Sequence, residues 1–281
     1  MAKYYTREEL HQKWDEEIRK KRPIILCGAG TGISGKFAEK AGADMIGIYN
    51  SGKYRMDGNI SIAGLLPIGN ANQEVLELAN RVLPIIKETP MIAGIYGSDP
   101  TRPMGPYLED LKHLGFSAVM NFPTVALIDG RLRDWAEAGN MGLQQEVDAL
   151  ALAKEKGLFT IGYACSESDA EIVANAHLDA IICHMGLTKG GSLNKIDADD
   201  RGMEEAADFV NRLYDIAKSI SPEMYVLAHG GPISSAEDTK YIYQHTKVVG
   251  FLGASSTERI PVEKPLQECV AGFKNQTILD F

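Results

Sequence analysis

Two histidines carry the strongest chemical signal in this sequence. His184 ends the apolar run Ala180-Ile-Ile-Cys-His and His229 ends Tyr225-Val-Leu-Ala-His, and a glycine follows each within two residues. A neutral imidazole at the end of a strand can give or take a proton near pH 7, or ligate a metal. A single histidine there would be as well explained as a satisfied core residue; two at the ends of neighbouring strands favour function. Asp99, after the run ending at Tyr96, and Glu146, at the start of a helix after a long loop, are the carboxylates expected to reach the same cavity. They would serve as acid–base partners, although a solvated carboxylate at a helix start is equally economical. Cys27, Asn50, Ser51, Asn121, Tyr163, Ser255 and Ser256 also fall where strands are expected to end. Of these, Asn50, Ser51 and Asn121 offer donors suited to a developing enolate. No lysine lies within an expected strand and no GxSxG elbow is present, which argues against a Schiff-base aldolase and against a serine hydrolase of that type.

The stretch from His229 to Arg259 predicts an anion site. Two apolar runs, each stopping abruptly at glycine and serine with a helix from about Ala236 to Gln244 between them, read as parallel strands joined by a crossover. Glycines at a strand-to-helix turn let backbone N–H groups approach an anion. Gly230, Gly231, Gly253, Ala254, Ser255, Ser256 and Arg259, with Gly28 after the first strand, are therefore the expected substrate-binding residues. Plain tight turns remain the alternative for these glycines.

The elements that must position these groups repeat one pattern. Strands ending near Leu26, Tyr49, Tyr96, Asn121, Tyr163, His184, His229 and Leu252 alternate with helical segments. Gly42, Gly115 and Gly157 each stand just before an apolar run, where a glycine stops a helix. Ser34 is read as the cap of the helix after the first strand, and Ala206, Phe209, Val210, Leu213, Ile216, Ala217 and Ile220 form one helical face. Eight such units predict an α/β fold, a single (β/α)8 TIM barrel spanning residues 1–281. A doubly wound open sheet is the competing architecture. Thr6 and Glu9 form a capping box ahead of Leu10, Trp14 and Ile18, so residues 1–22 are an extra helix expected to close the bottom of the barrel or pack on a partner subunit. Two long connections, Asn50 to Gly69 with Lys53, Arg55 and Asp57, and Asn121 to Gly142 with Arg131 and Arg133, would carry lids and specificity.

Composition narrows the partners. A net charge of −9 argues against nucleic acid or an anionic membrane surface, so an anionic substrate must be attracted locally. No apolar run approaches a membrane span, and the polar N-terminus reads as unprocessed; a cytoplasmic protein is expected, as a homo-oligomer binding a small anion. Cys27, Cys165, Cys183 and Cys269 lack CxxC spacing, which argues against a zinc cluster and a disulfide framework. No pattern names a cofactor.

The motifs carry a resemblance. Asn50-Ser-Gly-Lys-Tyr-Arg-Met, Ala63-Gly-Leu-Leu-Pro-Ile-Gly-Asn-Ala-Asn, Asn121-Phe-Pro-Thr-Val-Ala-Leu-Ile-Asp-Gly, His184-Met-Gly-Leu-Thr-Lys-Gly-Gly-Ser, His229-Gly-Gly-Pro-Ile and Gly253-Ala-Ser-Ser-Thr-Glu-Arg resemble the phosphoenolpyruvate hydrolase-like TIM-barrel proteins. The same type of domain resembles part of certain plant virus-resistance proteins, which implies that some relatives bind ligands without catalysis. More distantly, Ser34-Gly-Lys-Phe-Ala-Glu-Lys-Ala-Gly-Ala-Asp is similar to the phosphoenolpyruvate mutase and isocitrate lyase superfamily, implying 2-oxo acid or enolate chemistry. That superfamily holds Mg2+ with two acidic residues at the end of the third strand, where this chain carries Gly94 and Tyr96, and the lyases' catalytic cysteine loop has no counterpart. Any divalent ion would have to use His184, His229, Asp99 or Glu146, a donor set that favours an imidazole-loving metal.

Overall fold

The computed structural model describes residues 2–193 and 202–279. Eight parallel strands close into a barrel in chain order: β1 (Ile24–Gly28), β2 (Met45–Ile48), β3 (Met91–Ile95), β4 (Phe116–Asn121), β5 (Phe159–Ala164), β6 (Ala180–His184), β7 (Tyr225–His229) and β8 (Gly250–Gly253). Cys27 pairs in register with Gly253 across the closing seam, so the doubly wound alternative is excluded. The helices are α1 (Arg7–Arg19), α2 (Gly32–Ala41), α3 (Asn50–Met56), α4 (Ala71–Val82), α5 (Met104–Leu114), α6 (Gly130–Ala138), α7 (Leu143–Glu155), α8 (Glu167–Asn175), α9 (Met203–Ile220), α10 (Ala236–His245) and α11 (Arg259–Lys274).

Strand residues alternate between two apolar cores. Leu26, Met45, Ile92, Met120, Ile161, Ile182, Leu227 and Leu252 fill the barrel interior. Ile46, Ala93, Val119, Ile181, Val226 and Phe251 face the helices, where they meet Val75, Leu111, Leu150, Val210 and Leu213. The period-two alternation of strand side chains produces both layers from one run. Helix α1 closes the N-terminal end of the barrel. Its Trp14 packs on Phe159 and Tyr225 at centroid distances of 4.9 and 5.1 Å, and Arg7 reaches Asp179 at 2.7 Å.

Two local expectations change. The cap of α2 is Thr31, whose hydroxyl accepts the N–H of Ser34 at 3.4 Å; Ser34 lies inside the first turn, because Thr31 is the extended residue and the helix already starts at Gly32. The two long connections are structured: the first holds α3 and a 3-10 turn at Ser61–Leu65, the second a 3-10 turn at Val125–Leu127 and α6. Gly42 and Gly115 take the left-handed conformation expected of helix-stopping glycines, with φ of 90° and 104°.

Candidate active site at the C-terminal mouth of the barrel

The histidines are brought together by strand register itself. His184 and His229 are paired residues of β6 and β7, their rings 4.5 Å apart and nearly perpendicular, with Tyr163 of β5 beside both. Both are buried and line a cavity of about 160 Å3 shared with Tyr49, Ser51, Arg55, Ser61, Phe122 and Ser255. Their Nδ1 atoms face opposite kinds of partner. The Gly186 N–H donates to His184 Nδ1 at 3.0 Å, whereas His229 Nδ1 lies 2.6 Å from the Leu252 carbonyl, which can only accept. Burial pushes both imidazoles toward the neutral form: His184 well down, helped by its neighbour His229, and His229 to about 4, with the Arg55 charge contributing. Two neutral rings so held have opposite tautomers. His184 carries its hydrogen on Nε2, and His229 leaves Nε2 as a bare acceptor.

Arg55 is the cation of the cavity wall. It projects from α3, fully buried, and forms an ion pair with Glu258 of the turn after β8; its Nη2 also lies 3.4 Å from the Tyr49 hydroxyl, and Nη1 lies 3.3 Å from Ser61 Oγ. Glu258 additionally accepts the Gly30 N–H at 2.7 Å, so three βα turns converge on one charge pair. Gly28 makes room for this arrangement. A Cβ there would stand 2.2 Å from the Tyr49 hydroxyl oxygen and 3.2 Å from Arg55 Nη2. The sequence pointed to Arg55 only as one base in a loop, and to Glu258 not at all. Lys53, two residues from Arg55, turns outward to Glu74 and Glu77, and spacing alone does not say which of the two faces in.

The remaining expected residues divide between the cavity and its supports. Ser51, Tyr163, Ala254 and Ser255 line it. Ser51 Oγ is buried with no hydrogen-bond partner, which leaves a donor in the wall. Asn50 is committed elsewhere: its amide donates to the Gly64 carbonyl at 2.8 Å and its oxygen accepts the Ser51 N–H at 2.8 Å. Asn121 donates to Glu146 and Thr124 and accepts the Tyr163 N–H. Both amides fix loops and neither lines the histidine cavity; Asn121 has both N–H groups engaged, whereas Asn50 uses one of its two on Gly64.

Glu146 and Asp99 are not brought to the histidine cavity. Glu146 is sealed beneath the turn after β4, accepting from Asn121, Thr124 and the Val125 N–H at 2.7–2.8 Å, and burial pushes its carboxyl up to about 7 against those donors. Asp99 lines a second, more apolar cavity with Tyr96, Leu132 and Trp135. Despite a burial contribution in the other direction, the Thr101 side chain and N–H and the Asn72 amide hold it below its ordinary value.

The glycine-rich turns also depart from a simple anion cup. Gly230 and Gly231 have φ of 81° and 56°, which favours glycine at both positions. The Gly231 N–H donates to the Gly186 carbonyl, and a Cβ on Gly230 would lie 2.3 Å from that same oxygen. These two therefore lock the turn after β7 against the turn after β6. Gly253 is crowded by Thr257, while the hydroxyl of Ser256 is buried and unpartnered. Arg259 reaches Ser192, Glu263 and the Gly190 carbonyl, away from the cavity. Cys27 is a buried thiol pushed up to about 11, hence protonated near neutrality.

The donor set does not fit the superfamily's magnesium site. A Cβ on Gly94 would lie 2.5 Å from Tyr49 Cβ, so no carboxylate could stand there, and Tyr96 brings no acid. Among the described residues no three His, Cys, Asp or Glu side chains converge as a ligand set.

Comparison with known proteins follows the same lines. Residues 9–276 match the family described as phosphoenolpyruvate hydrolase-like. The tomato (Solanum lycopersicum) ToMV susceptible protein tm-1(GCR26) and ToMV resistance protein Tm-1(GCR237) are each 46% identical over 265 residues, covering 94% of this chain and 35% of theirs. The chain thus spans about a third of the length of these curated relatives. Among solved structures, 2,3-dimethylmalate lyase, a phosphoenolpyruvate mutase/isocitrate lyase superfamily member, superposes with a TM-score of 0.61 at 16% identity, covering 98% of this chain and 90% of that one. Phosphonopyruvate hydrolase in complex with oxalate and Mg2+ superposes with a TM-score of 0.58 at 17% identity, covering 94% and 87%. These structural likenesses are of fold. With a family match over nearly the whole chain and a barrel whose strand ends carry the matching motifs, the chain belongs to the phosphoenolpyruvate hydrolase-like family.

Proposed function

We propose that this barrel is an enzyme acting on a small anionic 2-oxo acid or phosphorylated enol, cleaving a C–C, C–P or O–P bond by acid–base and enolate-stabilising chemistry. The observation that carries this reading is the tautomer-matched histidine pair in a small buried cavity. His229 Nε2 accepts a proton from substrate or water, and the His184 Nε2–H donates to the oxygen on which charge develops. Ser51 Oγ adds a second donor, and Arg55 supplies positive charge. The cavity's size favours acids of a few carbon atoms, in keeping with the names of the structural neighbours.

Turnover of a panel containing phosphoenolpyruvate, phosphonopyruvate, oxaloacetate and other β-oxo acids tests the proposal. Conversion of at least one, abolished in His229→Gln, is expected. Tight binding of a panel member without turnover would replace it with the second reading, a ligand-binding barrel, in keeping with the names of the tomato relatives, one a ToMV susceptible and one a ToMV resistance protein, neither of which names a reaction.

We propose further that the chain self-associates. Helix α11 exposes Val262, Leu266, Val270 and Phe273 along one side, and Ile33 and Phe37 of α2 are exposed as well. A second copy would cover the apolar stripe of α11. The unpaired cysteines and the acidic balance are in keeping with work in a reducing, cytoplasmic setting.

A further inference from the structure

The Arg55–Glu258 pair does more than the fold requires of it. Holding two loops together with a buried ion pair is no better for stability than packing apolar residues of the same volume. Arg55, moreover, stands in the wall of the cavity, where its guanidinium meets whatever binds. A guanidinium has one N–H on Nε and two on each Nη. Nε and Nη2 face Glu258 Oε2, Nη2 also faces the Tyr49 hydroxyl at 3.4 Å, and Nη1 faces Ser61 Oγ at 3.3 Å. One Nη1 hydrogen is left over, on the side of the cavity-lining Ser61.

We propose that Arg55 is the anion-reading residue of this cavity and Glu258 its resident counter-ion, so that a ligand carboxylate shares the guanidinium with Glu258. This rests on the reading of the cavity as a small-acid site and deepens it by naming the group that is read. A carboxylate suits the position better than a phosphate dianion. A phosphate dianion would concentrate two negative charges on one group beside Glu258 and a single guanidinium, whereas each carboxylate, even in a dicarboxylate such as oxalate, carries one and can use the one free N–H. Ser51 lines the same space, and its Oγ, which has no other partner, can serve the second carboxylate oxygen. Arg55 also bears on His229, whose pKa its charge helps to depress, so the cation would connect ligand charge to the acceptor imidazole.

Isothermal titration with two probes, oxalate and inorganic phosphate, tests this on the wild type, Arg55→Gln, Arg55→Lys and Glu258→Gln. The wild type should bind oxalate more tightly than phosphate. Arg55→Gln should weaken oxalate at least 10-fold. Arg55→Lys should do the same while keeping the charge and the Glu258 partner, because a lysine ammonium lacks the planar fork that reaches both acids; it also serves if the Gln variant fails to fold. Glu258→Gln should melt at a lower temperature without ligand yet bind oxalate several-fold more tightly, since the ligand becomes the only counter-ion. Oxalate affinity within twofold of wild type in the folded Arg55 variants would overturn the assignment. Weakening in Glu258→Gln as large as in Arg55→Gln would reduce the pair to a clamp and overturn it equally, and a wild-type preference for phosphate would overturn the carboxylate. A wild type that binds neither probe would instead defeat the reading of the cavity itself.

Discussion

A histidine is useful as a base only where its protonation state is known, and here hydrogen-bond partners with no choice of role decide it. The Gly186 N–H must donate and the Leu252 carbonyl must accept, so the rings offer one donor and one acceptor without any proton moving in the resting protein. Replacing either histidine by Gln should lower kcat by roughly 100-fold or more while leaving the barrel folded, read by steady-state kinetics beside circular dichroism; near-normal turnover in both variants would remove them from the chemistry. The depressed pKa values give a stability signature too. Below the ordinary histidine value, and down to about 4 for His229, the unfolded chain binds protons at these positions that the folded chain refuses, so stability is lost as pH falls through that window. Glu146 works in the opposite direction. With its carboxyl pushed up to about 7, the folded state binds a proton that the unfolded state has released, and this contribution is lost as pH rises toward 7. Thermal melts from pH 4 to 8 should therefore steepen their acid-side loss in Glu146→Gln and flatten it in His229→Gln. Parallel profiles for all three proteins would show that these groups do not titrate as described.

The turns after β4, β6 and β7 are held by groups that resemble catalytic residues in the sequence. Glu146 accepts three hydrogen bonds from the last residue of β4 and the turn after it, and a Gln there would set an NH2 group against at least one donor. The expected outcome for Glu146→Gln is a loss of roughly 1–3 kcal/mol at neutral pH, with turnover kept to within a few-fold at temperatures where the variant is folded. A collapse of kcat in a variant that melts like the wild type would instead make Glu146 a chemical participant. Gly230 presents a different constraint, positive φ and a carbonyl where its Cβ would go. Gly230→Ala should cost at least about 1–2 kcal/mol for the left-handed conformation alone, and should also disturb His184 through the displaced Gly186. Chemical denaturation measures the first effect and the kinetics of the folded variant the second.

At the scale of the molecule, the barrel is plugged at one end and open at the other. Trp14 on α1 fills the N-terminal end against Phe159 and Tyr225, so Trp14→Ala should destabilise by about 3–5 kcal/mol while leaving ligand affinity of the remaining folded protein unchanged. Denaturant melts together with oxalate titration separate the two effects. The exposed stripe on α11 belongs to the proposed assembly: Leu266→Glu with Phe273→Glu should shift the chain to a smaller species in analytical ultracentrifugation. A wild type that sediments as a monomer at micromolar concentration would end that proposal.

What the sequence determined by itself follows from local rules. Alternation of apolar residues, glycines that stop helices and the capping box at Thr6 specify eight strands, their helices and the extra helix, because each rests on contacts within a few residues or on one face of an element. The two histidines were legible for the same reason, since a strand end can be read from the run that precedes it. Only the closed barrel decided which polar groups share a cavity. Arg55 and Glu258 meet across 203 positions of chain, Lys53 and Arg55 part company on one short helix, and Asn121 with Glu146 turns inward to support a loop. These outcomes depend on where β8 returns beside β1 and on what fills the space between turns, and neither is encoded in the spacing of any one segment.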